Sequence, residues 1–138
     1  IAIECVIKQG GLVIDSGDEI YNEYLHNLCL SGQKGIGNAF MKWVHDNRWR
    51  LPDSDRVTIS KNGDSYKEFP DHEGLVNFDI SDRKFVAVAN AHPKKPPILQ
   101  STDCKWWGWK NALEDVGITV CFLCPEYVKD KYKKKIGL

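Results

Sequence analysis

Apolar and polar positions along this chain alternate between two periods. Leu12-Val13-Ile14 is a compact apolar run between Gly11 and Asp15, as expected of a buried strand. From 19 to 28 the apolar residues Ile20, Tyr21, Tyr24, Leu25 and Leu28 recur at helical spacing, and Ser16 with Glu19 fits a capping box ahead of them. Glu23 falls close to the apolar boundary of that helix. A glycine-containing loop over 31–37 leads to a second predicted helix over 38–47, with Phe40, Met41, Trp43 and Val44 as core contacts. Residues 56–60 alternate in period two and predict a strand, and 61–64 a turn. The clearest segment is 83–91, where Phe85, Val86 and Ala89 with the small Ala87 and Ala91 predict a closely packing helix capped by Ser81 or Asp79. Prolines within 92–97 break it. A short strand over 98–100, a helix over 106–116 stopped by Gly117, and a last strand over 118–123 ended by Pro125 complete the pattern. At the start, 1–8 reads as the end of a helix, stopped by Gly10 and Gly11.

Strand–helix units recur and hairpin dipeptides between strands are nearly absent. That predicts an α/β fold with a mainly parallel central sheet, in a single domain over 1–138. In such sheets the working residues gather at the carboxyl ends of strands. Asp15 and Asp103 both stand there, and Asp82 opens a helix that faces the same rim. Each acid also has a structural explanation: a carboxylate in a first helical turn is favoured by the helix dipole.

Charge narrows the function. Nineteen basic side chains balance nineteen acidic ones, which excludes nucleic-acid binding by bulk charge alone. The basic run over 129–135 reads as a solvated, frayed terminus, with a locally basic face as the alternative. Arg48-Trp49-Arg50 joins an aromatic ring to two guanidinium groups, a combination that stacks on bases and holds phosphates; its structural alternative is a core plug with outward arginines. Five cysteines are scattered without the spacing of a disulfide framework, and the Cys121-x-x-Cys124 pair reads as buried strand thiols. No apolar run approaches the ~20 residues that cross a membrane. Histidines 26, 45, 72 and 92 show no metal-ligand spacing, and no Ser-His or Cys-His pair stands out. Carboxylates drawn from distant parts of the chain repel one another unless a cation neutralises them. Magnesium and manganese, hard cations that prefer oxygen ligands, suit such a set.

The order of Glu23-Tyr24, the glycine loop over 31–37, Phe40-Met-Lys-Trp43 and Phe78-Asp-Ile-Ser-Asp-Arg-Lys-Phe-Val-Ala-Val-Ala89, then Thr102-Asp103 after a short strand, resembles the PIN-domain nucleases over nearly the whole chain. The block around Asp82 is its most specific part. The resemblance implies a PIN-like three-layer fold, a parallel sheet flanked by helices, with an acidic pocket for Mg²⁺ or Mn²⁺. It implies a metal-dependent endoribonuclease that cuts single-stranded RNA, often as a toxin with an antitoxin protein as partner; a homodimer and a cytoplasmic location go with that expectation. By position, Glu23, Asp82 and Asp103 match the family's second, third and fourth acids as catalytic and metal-binding groups. Asp79 is a supporting carboxylate, Ser101 or Thr102 the polar residue near the last acid, and Arg48, Trp49, Arg50, Arg83 and Lys84 the groups facing nucleic acid. One departure stands out. The family's first acid ends a first strand for which this chain shows no counterpart before Ile1, so the natural protein is expected to begin upstream, in keeping with the non-Met start. A catalytically inactive PIN-like module that binds nucleic acid or protein is the competing expectation. A phosphatase lacks its nucleophile signature.

Overall fold

A computed structural model describes residues 11–27, 36–100 and 103–136. The helix expected over 1–8, most of the glycine loop, and both Ser101 and Thr102 lie outside the described residues. The chain forms two compact units, Ile1–Ile59 and Ser60–Leu138. Both mix helix with short strands.

In the first unit β1 (Ile14–Asp15) pairs in parallel with β2 (Arg56–Val57), Ile14 opposite Arg56 and Asp15 opposite Val57. The strand is displaced from the apolar run at 12–14, so that Asp15 is its last residue and is fully buried. Its carboxylate caps α1 (Glu19–Asn27): Oδ2 accepts from the Glu19 amide and Oδ1 from the Ile20 amide, both at 2.9 Å. Asp15, not Ser16, is therefore the capping side chain. Ser16 instead turns sideways, its amide donating to the Val57 carbonyl at 2.8 Å and its hydroxyl lying 3.1 Å from Thr58 Oγ1. Two free amides at a helix start attract the anion more strongly than a hydroxyl. Replacing Asp15 with alanine orphans both amides and is expected to cost about 1–2 kcal/mol. Urea unfolding checks this; an unchanged midpoint would remove the cap from the account. α2 (Ile36–Asn47) packs Phe40, Met41 and Val44 with Tyr21 into the unit's core. Tyr24 meets Phe40 edge-on at 5.3 Å, and burial pushes its phenol up to about 12.

In the second unit β3 (Lys61–Asn62) and β4 (Ser65–Tyr66) make an antiparallel hairpin. The expected turn is thus a strand-joining one. A 3₁₀ turn over Ile80–Asp82 leads into α3 (Arg83–Ala91), which buries Val86, Ala87, Val88 and Ala89. β5 (Ile98–Gln100) pairs in parallel with β6 (Val120–Phe122), and α4 (Lys105–Asp115) connects them. Gly117, at φ +83°, ends α4: its amide reaches the Glu114 carbonyl and that of Ile118 reaches Leu113, a Schellman closure that favours glycine at this φ. Phe78, Trp106, Leu75, Val86, Leu113 and Ile118 form the core.

The architecture is mixed α/β, with two parallel strand pairs and one hairpin among the described residues. Two expectations change here. The basic terminus is not frayed: Pro125–Ile136 forms α5, with Val128 buried and Tyr132 one turn on resting against Gly108 of α4, where a Cβ would meet the phenol oxygen at 2.6 Å. Proline at the first helical position starts this helix as it ends the strand. Cys121 and Cys124 are exposed rather than buried: Val120 and Phe122 take the inward positions of β6 and Cys121 alternates outward, while Cys124 lies past the end of the strand, just before α5.

Candidate functional site

Asp79, Asp82 and Asp103 stand close enough in the second unit for Asp82 to feel both of the other charges. The first two ride on the 3₁₀ turn before α3. The Asp82 amide donates to the Asp79 carbonyl at 3.1 Å, and Asp79 Oδ1 accepts from the amide and hydroxyl of Ser81 at 3.1 and 2.9 Å. Asp79 is thus the cap of this turn. Asp103 opens α4: its Oδ1 accepts from the Lys105 amide at 3.1 Å and its carbonyl from the Trp106 amide at 3.3 Å.

Asp82 is anchored from below. Trp106, only 1% exposed and edge-on to Phe78 at 5.0 Å, donates its indole N–H to Asp82 Oδ2 at 3.2 Å. Partial burial raises the Asp82 carboxyl above its ordinary range; the Trp106 bond lowers it, and the neighbouring charges of Asp79 and Asp103 add to the rise. Asp79 moves the other way. The Lys105 ammonium, 2.6 Å from its Oδ2, holds it below the usual range, with Ser81 contributing. The same bond raises Lys105. On α5, Lys131 donates to the Tyr127 hydroxyl at 3.2 Å, which raises its own pKa, and it also senses Asp103. Beside Lys105, a cleft of about 210 Å³ is lined by Gly108, Trp109 and Tyr132.

No family model, no curated protein and no solved structure matches this chain.

The acids suit a hard cation in kind. Asp82 accepts the indole N–H on Oδ2 and Asp103 the Lys105 amide on Oδ1, while Oδ2 of Asp79 is taken by the Lys105 ammonium. No group of three or more acidic, imidazole or thiol side chains among the described residues is arranged to hold a metal ion. Magnesium, however, keeps several waters and commonly uses only one or two carboxylates.

Of the other expected site residues, Glu23 belongs to the first unit, half-buried on α1. Arg83 is drawn into the fold: Nε and Nη2 donate to the Phe78 carbonyl, Nη2 also to that of Val76 at 2.9 Å, and Nη1 to Ser65 Oγ, with the guanidinium over the Phe69 ring. Lys84, its neighbour in α3, is half-buried. Trp49 is not a core plug but stands 67% exposed. Arg50 is exposed beside it, and Arg48 is paired with Asp18 at 3.3 Å. Sequence reading missed Lys105 and Trp106. Both directly follow the Asp103 exit from β5, so their place near Asp103 was available; their reach to Asp79 and Asp82, across more than twenty residues, was not.

Proposed function

We propose that this chain is a metal-dependent endoribonuclease with a PIN-like three-layer fold, cutting single-stranded RNA at the Asp79–Asp82–Asp103 cluster. The observation that carries the reading is the anchored Asp82: a carboxylate fixed on one oxygen by a buried indole, open on the other, and mutually charged with Asp103. Asp82 and Asp103 would hold Mg²⁺ or Mn²⁺. A bound ion of this kind neutralises charge at the transferred phosphorus and makes a water more acidic. The chain's own groups do the rest. Trp106 fixes the orientation of Asp82, Asp79 orders the turn that carries it, and the ammonium groups of Lys105 and Lys131 offer attraction to a phosphodiester at the edge of the cluster. Water exclusion is modest, since Asp79 and Lys105 are only partly covered.

A second reading, a catalytically inactive PIN-like module that binds nucleic acid or protein, is favoured by one observation: Lys105 already supplies Asp79 with a cation. The assay that separates the two is incubation of single-stranded RNA with the protein and Mn²⁺, with and without chelator. Cleavage is expected with the metal and none with chelator. Fragments that form equally in chelator would reject the metal-dependent mechanism, and intact RNA under every condition would favour the inactive module. Among the described residues no helix is long and apolar enough to cross a membrane.

A further inference from the structure

Trp49 presents a large aromatic face to solvent immediately after α2. A single exposed apolar side chain is ordinary on a protein surface. Trp49 differs in how it is held. The Arg48 amide donates to the Val44 carbonyl at 2.8 Å and the Arg50 amide to that of Asn47 at 2.8 Å, so the backbone on both sides of the ring is fixed by hydrogen bonds. The Arg48 guanidinium lies 4.7 Å from the indole centroid, and that of Arg56, from β2, lies 5.3 Å away. Arg48 is itself pinned, 3.8 Å over the Tyr21 ring and in its ion pair with Asp18. Among the described residues, Arg48 Nε, Arg56 Nη2 and Asp18 Oδ1 are buried without a hydrogen-bond partner, so these atoms face the fold and the indole is the group left to meet a ligand.

We infer that Arg48, Trp49 and Arg56 form a stacking platform for an unpaired base of single-stranded nucleic acid. Every base has a π-face, and an indole already held by cations loses little freedom on stacking. Paired bases hide those faces, so the platform discriminates against duplex. Charge is not the driving force. The stretch 46–56 carries Arg48, Arg50 and Arg56 against Asp46, Asp53 and Asp55. Binding should therefore depend only weakly on salt, as for one or two phosphate contacts, a log–log slope of roughly −0.7 to −1.4. The proposal deepens the nuclease reading and takes from it only the choice of RNA.

The test is fluorescence anisotropy of a labelled single-stranded oligoadenylate in chelator, where cleavage plays no part. Wild-type protein is expected to bind the single strand in preference to the same sequence in a duplex. Trp49→Ala should weaken binding at least about fivefold, Trp49→Phe should restore much of it, and Arg56→Gln should weaken it less than Trp49→Ala. Both altered side chains have exposed or half-exposed positions, and circular dichroism confirms that the variants are folded. Equal affinity of Trp49→Ala and wild type, equal affinity for duplex, or no binding by wild type would each overturn the platform. Binding that needs Trp49 in a protein that cuts no RNA with Mn²⁺ would support the platform while rejecting the nuclease reading.

Discussion

Asp82→Asn is expected to abolish Mn²⁺-dependent cleavage of single-stranded RNA, by at least about 100-fold, while leaving the fold as stable as wild type or more so at neutral pH. The activity loss follows from removing the negative charge at the best-anchored member of the cluster; changes to groups that merely support a metal ligand already cost about 10–100-fold. The stability direction follows from the raised carboxyl. Burial and the charges of Asp79 and Asp103 make the ionised form costlier in the folded state than in the unfolded one. A group with a raised folded pKa opposes folding above that pKa, and the opposition disappears as pH falls below its unfolded value. Asparagine carries no charge, and its amide oxygen can still accept from Trp106. The gain in melting temperature should therefore be seen at pH 7 and shrink toward pH 4. A variant that melts well below wild type at pH 7 would show that the Asp82 charge supports the fold. Asp79 has the opposite sign. Lys105 and Ser81 depress its pKa, so its contribution is present above the unfolded value and is lost as pH falls through the folded one.

Trp106→Ala is expected to give the largest loss of stability, about 3–5 kcal/mol, because it empties a fully packed site and removes the donor to Asp82. Trp106→Phe separates the two effects. It keeps most of the apolar contact with Phe78 but has no N–H, so it should lose much less stability and still impair cleavage, since Asp82 would no longer be oriented. Guanidinium unfolding gives the first quantity and RNA cleavage by the folded variants the second. If Trp106→Phe cuts RNA as wild type does, the indole bond does not position Asp82.

How much was legible follows from the range of each signal. α1, α2, α3 and α4 were readable because helical periodicity is local and each carries several apolar contacts. The cap before α3 was readable only as Ser81 or Asp79; Asp79 caps the 3₁₀ turn ahead of the helix, with Ser81 donating to it. The capping role of Asp15 was not readable, because Ser16 has the commoner sequence signature and only the pairing of β1 with β2 shows which side chain lies under the helix start. α5 was obscured by its lysines. Its packing rests on Val128 and the approach of Tyr132 to Gly108, and the second of these needs a bare backbone on a different helix. At the candidate site, Asp82 and Asp103 could be named singly. That a lysine two residues after Asp103 would take up Asp79 depends on how β5 and the turn before α3 are packed together, which no spacing encodes.

The bond from Arg83 Nη1 to Ser65 Oγ has a kinetic consequence. β3 and β4 join neighbouring residues, Lys61 with Tyr66 and Asn62 with Ser65, whereas β5 must find β6 across α4 and β1 must find β2 across two helices. A hairpin closes in roughly 1–10 μs, while pairings distant in sequence wait on larger loop closures. The β3–β4 pairing is thus expected to close ahead of the two parallel pairings. Once closed, its Ser65 gives Arg83, at the start of α3 and next to Asp82, a partner on a different element.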